Sequence, residues 1–576
     1  TDGDGYGVAG TTRSQCDQPS LHASNDDDCN DASAAVSPGD AEVCDAADVD
    51  EDCDGRADDA DTDMPTTSKT GWAVDADADG WGSGAVAVYS CATPAGYAVT
   101  GDCNDGDDVI HPDAADACTD EVDADCDGVT VCGSVSASAA FTGSTSSASY
   151  GRSVAAVWDV DGDGIDDVAA GAPSMSSSTG EVVLLDVGAG SGTIGTRRLV
   201  RVAGDGTSHY LGNPMTSVPD VDGDGKDDLV VTSYTAGGTS TVDGKVYVLA
   251  SASTTSGASG TASSLARTIV YGSYYGASLG YDNVAGLDWD GDGDGEVVAF
   301  GSGTYSSYGS PYRAYVLDLE STGTHTEEDD TLFTVEDDSG DYLRANVCTS
   351  DANGDGLDDL FVSTLSSSYT WTLRLFVSTG TSGVEDYTAA DATWSGTRGG
   401  YADTDFFGGS CGTGDFDGDG DADLAVGAPH HDASSTVASS GRVYVYTDAT
   451  RSGTSATATI AHTTRYGYLG NRLTVLRDID GDGRDELAVG YRNYESAPGK
   501  VGIYGGGVSG TLGLSDAQYT ISGRSTDDYF ADEALLAQDI DGDGLDDLLV
   551  GAQGDDGGGS NVGAVFVYFG ETLFEP

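Results

Sequence analysis

An acidic nine-residue loop, Asp-x-Asp-Gly-Asp-Gly-x-x-Asp in its fullest form, constrains this chain more than any other feature. It begins at Asp159, Asp220, Asp288, Asp351, Asp415, Asp478 and Asp539, in steps of 61 to 68 residues. Each copy runs into an apolar, β-branched stretch. Self-similarity at one period restricts the chain to a repeat architecture, in which a unit buries its apolar face only against its neighbours.

The units share more than the loop. An aromatic residue and a glycine open them: Tyr150-Gly151, Tyr210-Leu211-Gly212, Tyr275-Gly276, Phe407-Gly408 and Tyr468-Leu469-Gly470, with Tyr342-Leu343 and Tyr529-Phe530 as degenerate forms. One strand leads into the loop and another leaves it, ending in Gly171-Ala172-Pro173 in the first unit and Gly427-Ala428-Pro429 in the fifth. A glycine-led alternating strand follows, as at Gly244 to Leu249 or Gly563 to Tyr568, and a Thr-rich strand closes the unit. Four short strands in about 60 residues predict one propeller blade. The expected fold is all-β, a seven-bladed β-propeller over 150–576. These elements resemble the FG-GAP repeat, the blade of integrin α-subunit heads and of many bacterial surface proteins. The third, fourth and sixth units lack Gly-Ala-Pro. The resemblance implies protein or matrix ligands.

The seventh unit ends after its third strand, at Phe569, and a strand-like stretch, Ala137 to Thr142, precedes the first unit. An open ring leaves sheet edges exposed, so this stretch, within a Ser- and Ala-rich segment at 134–149, is expected to supply the missing fourth strand. Cys348 and Cys411 precede the fourth and fifth loops at equivalent positions. They are expected to form an inter-blade disulfide, the alternative being two buried thiols.

The loop spacing suits calcium. Residues 1, 3 and 5 aim carboxylates into one concavity, residue 7 offers its carbonyl, residue 9 adds an acid, and the glycines permit the turn. The predicted ligands are Asp159, Asp161, Asp163, Ile165 and Asp167; Asp220, Asp222, Asp224, Lys226 and Asp228; Asp288, Asp290, Asp292, Asp294 and Glu296. They continue with Asp351, Asn353, Asp355, Leu357 and Asp359; Asp415, Asp417, Asp419, Asp421 and Asp423; Asp478, Asp480, Asp482, Arg484 and Glu486; Asp539, Asp541, Asp543, Leu545 and Asp547. The fourth site, with Asn353, has one charge fewer and is expected to be weakest. The calcium is expected to be structural rather than signalling.

Residues 1–133 repeat a different order: Asp28-Cys29-Asn30-Asp31, a Pro turn, Cys44, then Asp52-Cys53-Asp54-Gly55; and again Asp102-Cys103-Asn104-Asp105, a Pro turn, Cys118, then Asp125-Cys126-Asp127-Gly128. The first of the two units is truncated at its start. The order resembles the MopE-type metal-binding repeat of bacterial surface proteins, and more distantly the calcium-loaded thrombospondin type 3 repeat. Alternating acids mark further metal candidates: Asp50, Asp52, Asp54 and Asp58; Asp75, Asp77 and Asp79; Asp123, Asp125 and Asp127. These hard oxygens suit calcium, and no His or Met cluster suits copper. The region is expected to be loop-rich and held by disulfides and calcium.

Nine of the eleven cysteines lie before residue 133. That density indicates disulfides and an oxidising compartment, so the expected location is extracellular or at the cell surface. The chain opens inside an acidic loop and is expected to begin downstream of the translated start. Its formal charge is −76, from 99 acidic and 23 basic residues; 84 of the acids are Asp. No basic stripe exists for nucleic acid, and no run of about 18 apolar residues for a membrane span. No catalytic constellation stands out, so no enzyme is expected. The reading is a secreted or surface calcium-binding protein for adhesion or extracellular assembly, whose partners are an extracellular protein, matrix or glycan ligand, or copies of itself. A filament or layer subunit and a propeller lectin are the alternatives.

Overall fold

A tight acidic turn between two apolar strands makes an antiparallel hairpin, and seven such hairpins organise the larger part of the chain. The computed structural model describes residues 6, 17, 25–30, 32–45, 47, 49–62, 64–78, 80–104, 106, 110, 137–237, 243–273, 277–281, 283–302, 312–336, 342–366, 370–396, 405–434, 436–451, 455–492 and 498–573. They fall into two units, within residues 1–131 and 132–575.

In the larger unit the first blade is typical. Its strands are Val154–Val157, Asp167–Ala172, Glu181–Leu185 and Arg198–Ala203, each antiparallel to the next. Six further sheets repeat this order. Their innermost strands are Met215–Val218, Val284–Leu287, Tyr342–Ser350, Ser410–Gly414, Leu473–Leu476 and Phe530–Gln538. Each touches the next, and the seventh touches the first, which closes a ring of seven. The second strands of blades one and seven, Asp167–Ala172 and Asp547–Ala552, are buried along their whole length. Adjacent blades cover both faces, which is why these strands read as unbroken apolar runs.

The closing strand is Ala139–Thr142. It lies antiparallel to Ala564–Tyr568, with Phe141 opposite Val565, and becomes the fourth strand of the seventh blade. The sequence reading missed a further layer. Among the described residues, in five blades a short parallel strand from the following repeat covers the outer edge: Gly192–Thr193, Ser259–Thr261, Gly323–Thr326, Gly383–Asp386 and Gly510–Leu512. These strands blunt the edges of the sheets.

The repeat glycines have a structural cause. A Cβ on Gly171 would lie 2.1 Å from the carbonyl oxygen of Gly212, and one on Gly427 would lie 2.2 Å from that of Gly470. The Gly of Gly-Ala-Pro in one unit therefore meets the Gly of aromatic-Gly in the next. The ring can pack at this distance only where side chains are missing. Cys348 and Cys411 are bonded, joining the inner strands of the fourth and fifth blades.

The smaller unit is loop-rich and also holds strands that the sequence reading did not place. Thr70–Val74, Trp81–Ser90 and Tyr97–Asp102 form a three-stranded sheet. The alternation Ala85-Val86-Ala87-Val88-Tyr89 is a strand signal, and the turn chemistry around it obscured it. Disulfides join Cys29 to Cys53 and Cys44 to Cys91, so these four sulfurs are not thiolate metal ligands.

Candidate metal centres

All seven propeller loops use the same internal wiring. The first acid accepts backbone N–H groups from the turn it opens: Asp159 Oδ1 from Gly162 at 2.6 Å and Oδ2 from Gly164 at 2.9 Å. Gly162 and Gly164 have φ of 87° and 95°, which favours glycine there. The fifth residue accepts from the seventh: Ile165 to Asp163, Lys226 to Asp224, Asp294 to Asp292, Leu357 to Asp355, Asp421 to Asp419, Arg484 to Asp482 and Leu545 to Asp543, at 2.8–3.1 Å.

The ninth acid begins the second strand and is buried in every blade. One of its oxygens accepts the N–H of the loop's second residue: Val160, Val221, Trp289, Ala352, Phe416, Ile479 and Ile540, at 2.7–3.1 Å. In the five blades with Asp at this place, the other oxygen accepts an N–H just after the third strand: Val187, Ser251, Ser378, Asp448 or Gly570. The sixth blade has the longer Glu486, whose Oε1 is buried with no hydrogen-bond partner among the described residues. Asp222 Oδ1 in the second blade is in the same condition.

The electrostatics follow from this geometry. Burial, with nearby loop acids adding to it, pushes the ninth acids up despite their backbone N–H donors. Asp228, Asp359 and Asp423 reach about 6, Asp167 and Asp547 about 7, and Glu296 and Glu486 about 8. The third acids Asp161, Asp290 and Asp541 also rise, from burial and then the neighbouring fifth acids. Burial raises Asp159 too, but three backbone N–H groups and Lys226 outweigh it and hold it low. Buried carboxylates whose oxygens lack donors, grouped with other oxygens, fit a hard divalent cation. Ligand oxygens of Asp159, Asp161 and Asp163, and of Asp220, Asp222 and Asp228, lie within 4.8 Å of one another.

Sequence reasoning missed how the loops touch. In the fourth, sixth and seventh loops the side chain of the eighth residue binds the preceding blade at its loop. Asp358 Oδ2 accepts the Asp288 N–H at 2.9 Å, and Asp485 Oδ2 accepts that of Asp415 at 2.8 Å. Asp546 takes the Arg477 N–H and its guanidinium. Lys226 Nζ and Arg484 Nε reach back to the carbonyls of Asp159 and Asp417, both at 3.3 Å. The only sequence signal was the recurring acid at position eight.

In the smaller unit Asp50, Asp52 and Asp54 repeat the turn: Asp50 accepts the Asp54 and Gly55 N–H groups, and Asp54 that of Arg56. Asp58 does not play the ninth-acid part there; its Oδ1 accepts the N–H of Asp45. Two buried acids absent from the sequence reading stand with the loop instead. Glu42 groups with Asp50 and Asp52, and Asp61 with Asp52 and Asp54. Burial, then Glu51, pushes Glu42 to about 7, and its Oε2 has no hydrogen-bond partner among the described residues. Asp75 caps the Ala78 N–H, and Asp77 follows it in the same hairpin. Asp79, Asp123, Asp125 and Asp127 lie outside the described residues.

The FG-GAP repeat profile matches residues 150–185, 216–249, 407–446 and 530–568, which are the first, second, fifth and seventh blades. Four of the seven blades thus match the FG-GAP repeat. The other three blades share the sheet order without the full motif. The MopE-type metal-binding motif matches residues 28–59 and 102–130. Integrin alpha-5 of Xenopus laevis is 31% identical over 161 residues, 26% of this chain and 15% of its own. Integrin alpha-IIb of Mus musculus is 31% identical over 191 residues, 29% of this chain and 18% of its own. The chain thus spans under a fifth of the length of these relatives. Among solved structures, the WD40 domain of Toxoplasma gondii coronin aligns over 76% of this chain and 87% of its own, at 9% identity and a TM-score of 0.41.

Proposed function

We propose that this is an extracellular or cell-surface adhesion protein whose FG-GAP propeller and MopE-type unit are held in shape by calcium, with no catalytic role. One observation carries the calcium part: seven equivalent loops place a buried ninth acid beside exposed acids. Without a cation those charges repel, and with burial they push the ninth acids up to about 6 to 8. A bound cation reverses the sign and stabilises the folded state by mass action.

The adhesion part extends the integrin alpha similarity. The disulfides in both units support an oxidising location, and no helix among the described residues is long and apolar enough to cross a membrane. The test is binding of the full chain to arrayed matrix proteins and glycans, in calcium and in chelator. Saturable, calcium-dependent binding to a protein is expected; hits confined to glycans, or none at all, overturn adhesion.

A further inference from the structure

The face opposite the acidic loops carries the turns between second and third strands and the passages between blades. At the seam of the sixth, seventh and first blades these leave an open pocket of about 420 Å³, lined by Arg152, Arg492, Tyr529, Asp532, Glu533 and Gln553. The lining pairs two guanidinium groups with two carboxylates, and Arg472, which pairs with Glu533 from outside the lining, brings a third guanidinium to the cluster in a chain of net charge −76.

The guanidinium groups are held from behind. Arg152 Nη1 donates to Gln553 Oε1 at 3.1 Å, and its Nη2 lies 3.6 Å from Glu533, while the side chain stays 36% exposed. Arg492 pairs with buried Asp532 at 3.1 Å and lies over the rings of Tyr529 and Tyr468, 4.7 and 5.8 Å from their centroids. Ser147, Ser149 and Ser174 also line the pocket. A planar fork fixed in place matches a carboxylate and loses little freedom on binding it. Salt screens the distant acids over about 10 Å at 0.1 M, so the three arginines and the two carboxylates between them set the local field.

We propose that this pocket binds a carboxylate presented by an acidic side chain of a protein partner, with Arg152 as the group that meets it. The inference rests on the adhesion reading only for the partner being a protein. The carboxylate site is tested apart from it, by calorimetry on the full chain in saturating calcium. The probes are acetyl-Gly-Asp-Gly-amide, its Asn counterpart, glucuronate and glucose.

The Asp peptide is expected to bind saturably. The Asn peptide, and the Asp peptide on Arg152→Gln, should bind about tenfold more weakly or worse, the loss expected for a charge-assisted hydrogen bond. Gln553→Ala, which keeps every charge and releases the fork, should weaken the Asp peptide by a smaller factor. Equal binding of the Asp and Asn peptides, or full binding by Arg152→Gln, overturns the pocket. Glucuronate binding more tightly than the Asp peptide overturns the choice of a protein. Loss of matrix-protein binding with the probe results intact would instead count against adhesion alone.

Discussion

Phe141 offers a direct probe of how the ring closes. It is fully buried in the closing strand, opposite Val565, and packs in one cluster with Tyr150, Leu185, Ile194 and Val567. Phe141→Ala removes a ring from a site that a neighbouring blade cannot collapse to fill. The expected loss is about 3–5 kcal/mol. A domain of 150–250 residues loses about 2–4 °C in Tm per kcal/mol; this unit is larger and should lose roughly half that, so a drop of about 3–10 °C is expected. Deleting residues 134–145 removes the whole closing strand and bares the edge of Ala564–Tyr568. That variant should melt lower still and form oligomers by edge pairing, read by light scattering. Val384→Thr, on the exposed strand Gly383–Asp386, is the control and should stay within about 0.5 kcal/mol. If Phe141→Ala and the deletion melt like the parent and remain monomeric, the ring does not close through this strand.

Three other outcomes are expected. Replacing Cys348 and Cys411 together by Ser opens a cross-link spanning 63 residues, and chain entropy puts the loss at about 4 kcal/mol; chemical denaturation with an unchanged midpoint would contradict this. Lys226→Ala removes a cation beside the Asp159 loop, so calcium affinity of that loop should rise about two- to fivefold, and calorimetry showing weaker binding would refute the account. Asp532 is pushed up to about 7 by burial and then Glu533, against Arg492, Arg472 and Arg152, and Asn471 donates to its Oδ1. Its folded value exceeds the unfolded one near 3.9, so the folded state holds the extra proton in between and stability falls as pH rises from about 4 to 7. In saturating calcium, Asp532→Asn should flatten that slope, and an unaltered pH profile would count against it.

Much of the propeller was legible because its motifs are steric and local. The Asp-Gly alternation encodes a turn that glycine alone makes cheaply. The pairs Gly171–Gly212 and Gly427–Gly470 leave their mark in sequence because no Cβ fits there. The closing strand was readable from a count: one strand too few at the end and one to spare before the start. The outer parallel strands were not, since a few residues such as Gly192–Thr193 carry no periodicity. The links between loops were hidden for a different reason. Asp358 and Asp485 look like ordinary loop acids until the preceding blade is set beside them. In the smaller unit, alternation pointed to Asp58, whereas tertiary packing brings Glu42 and Asp61 to the loop. Nothing in local spacing foretells an acid arriving from another turn. The arginine pocket was equally invisible, because Arg152 and Arg492 are far apart in sequence and meet only when the ring closes.

Native mass spectrometry of the full chain, paired with melting in calcium and in a strong chelator, tests the central claim most directly. At least seven bound calcium ions are expected, one for each loop from Asp159 to Asp539, with a melting temperature that falls by many degrees when they are stripped. A chain that carries no calcium and melts at the same temperature in chelator would contradict it.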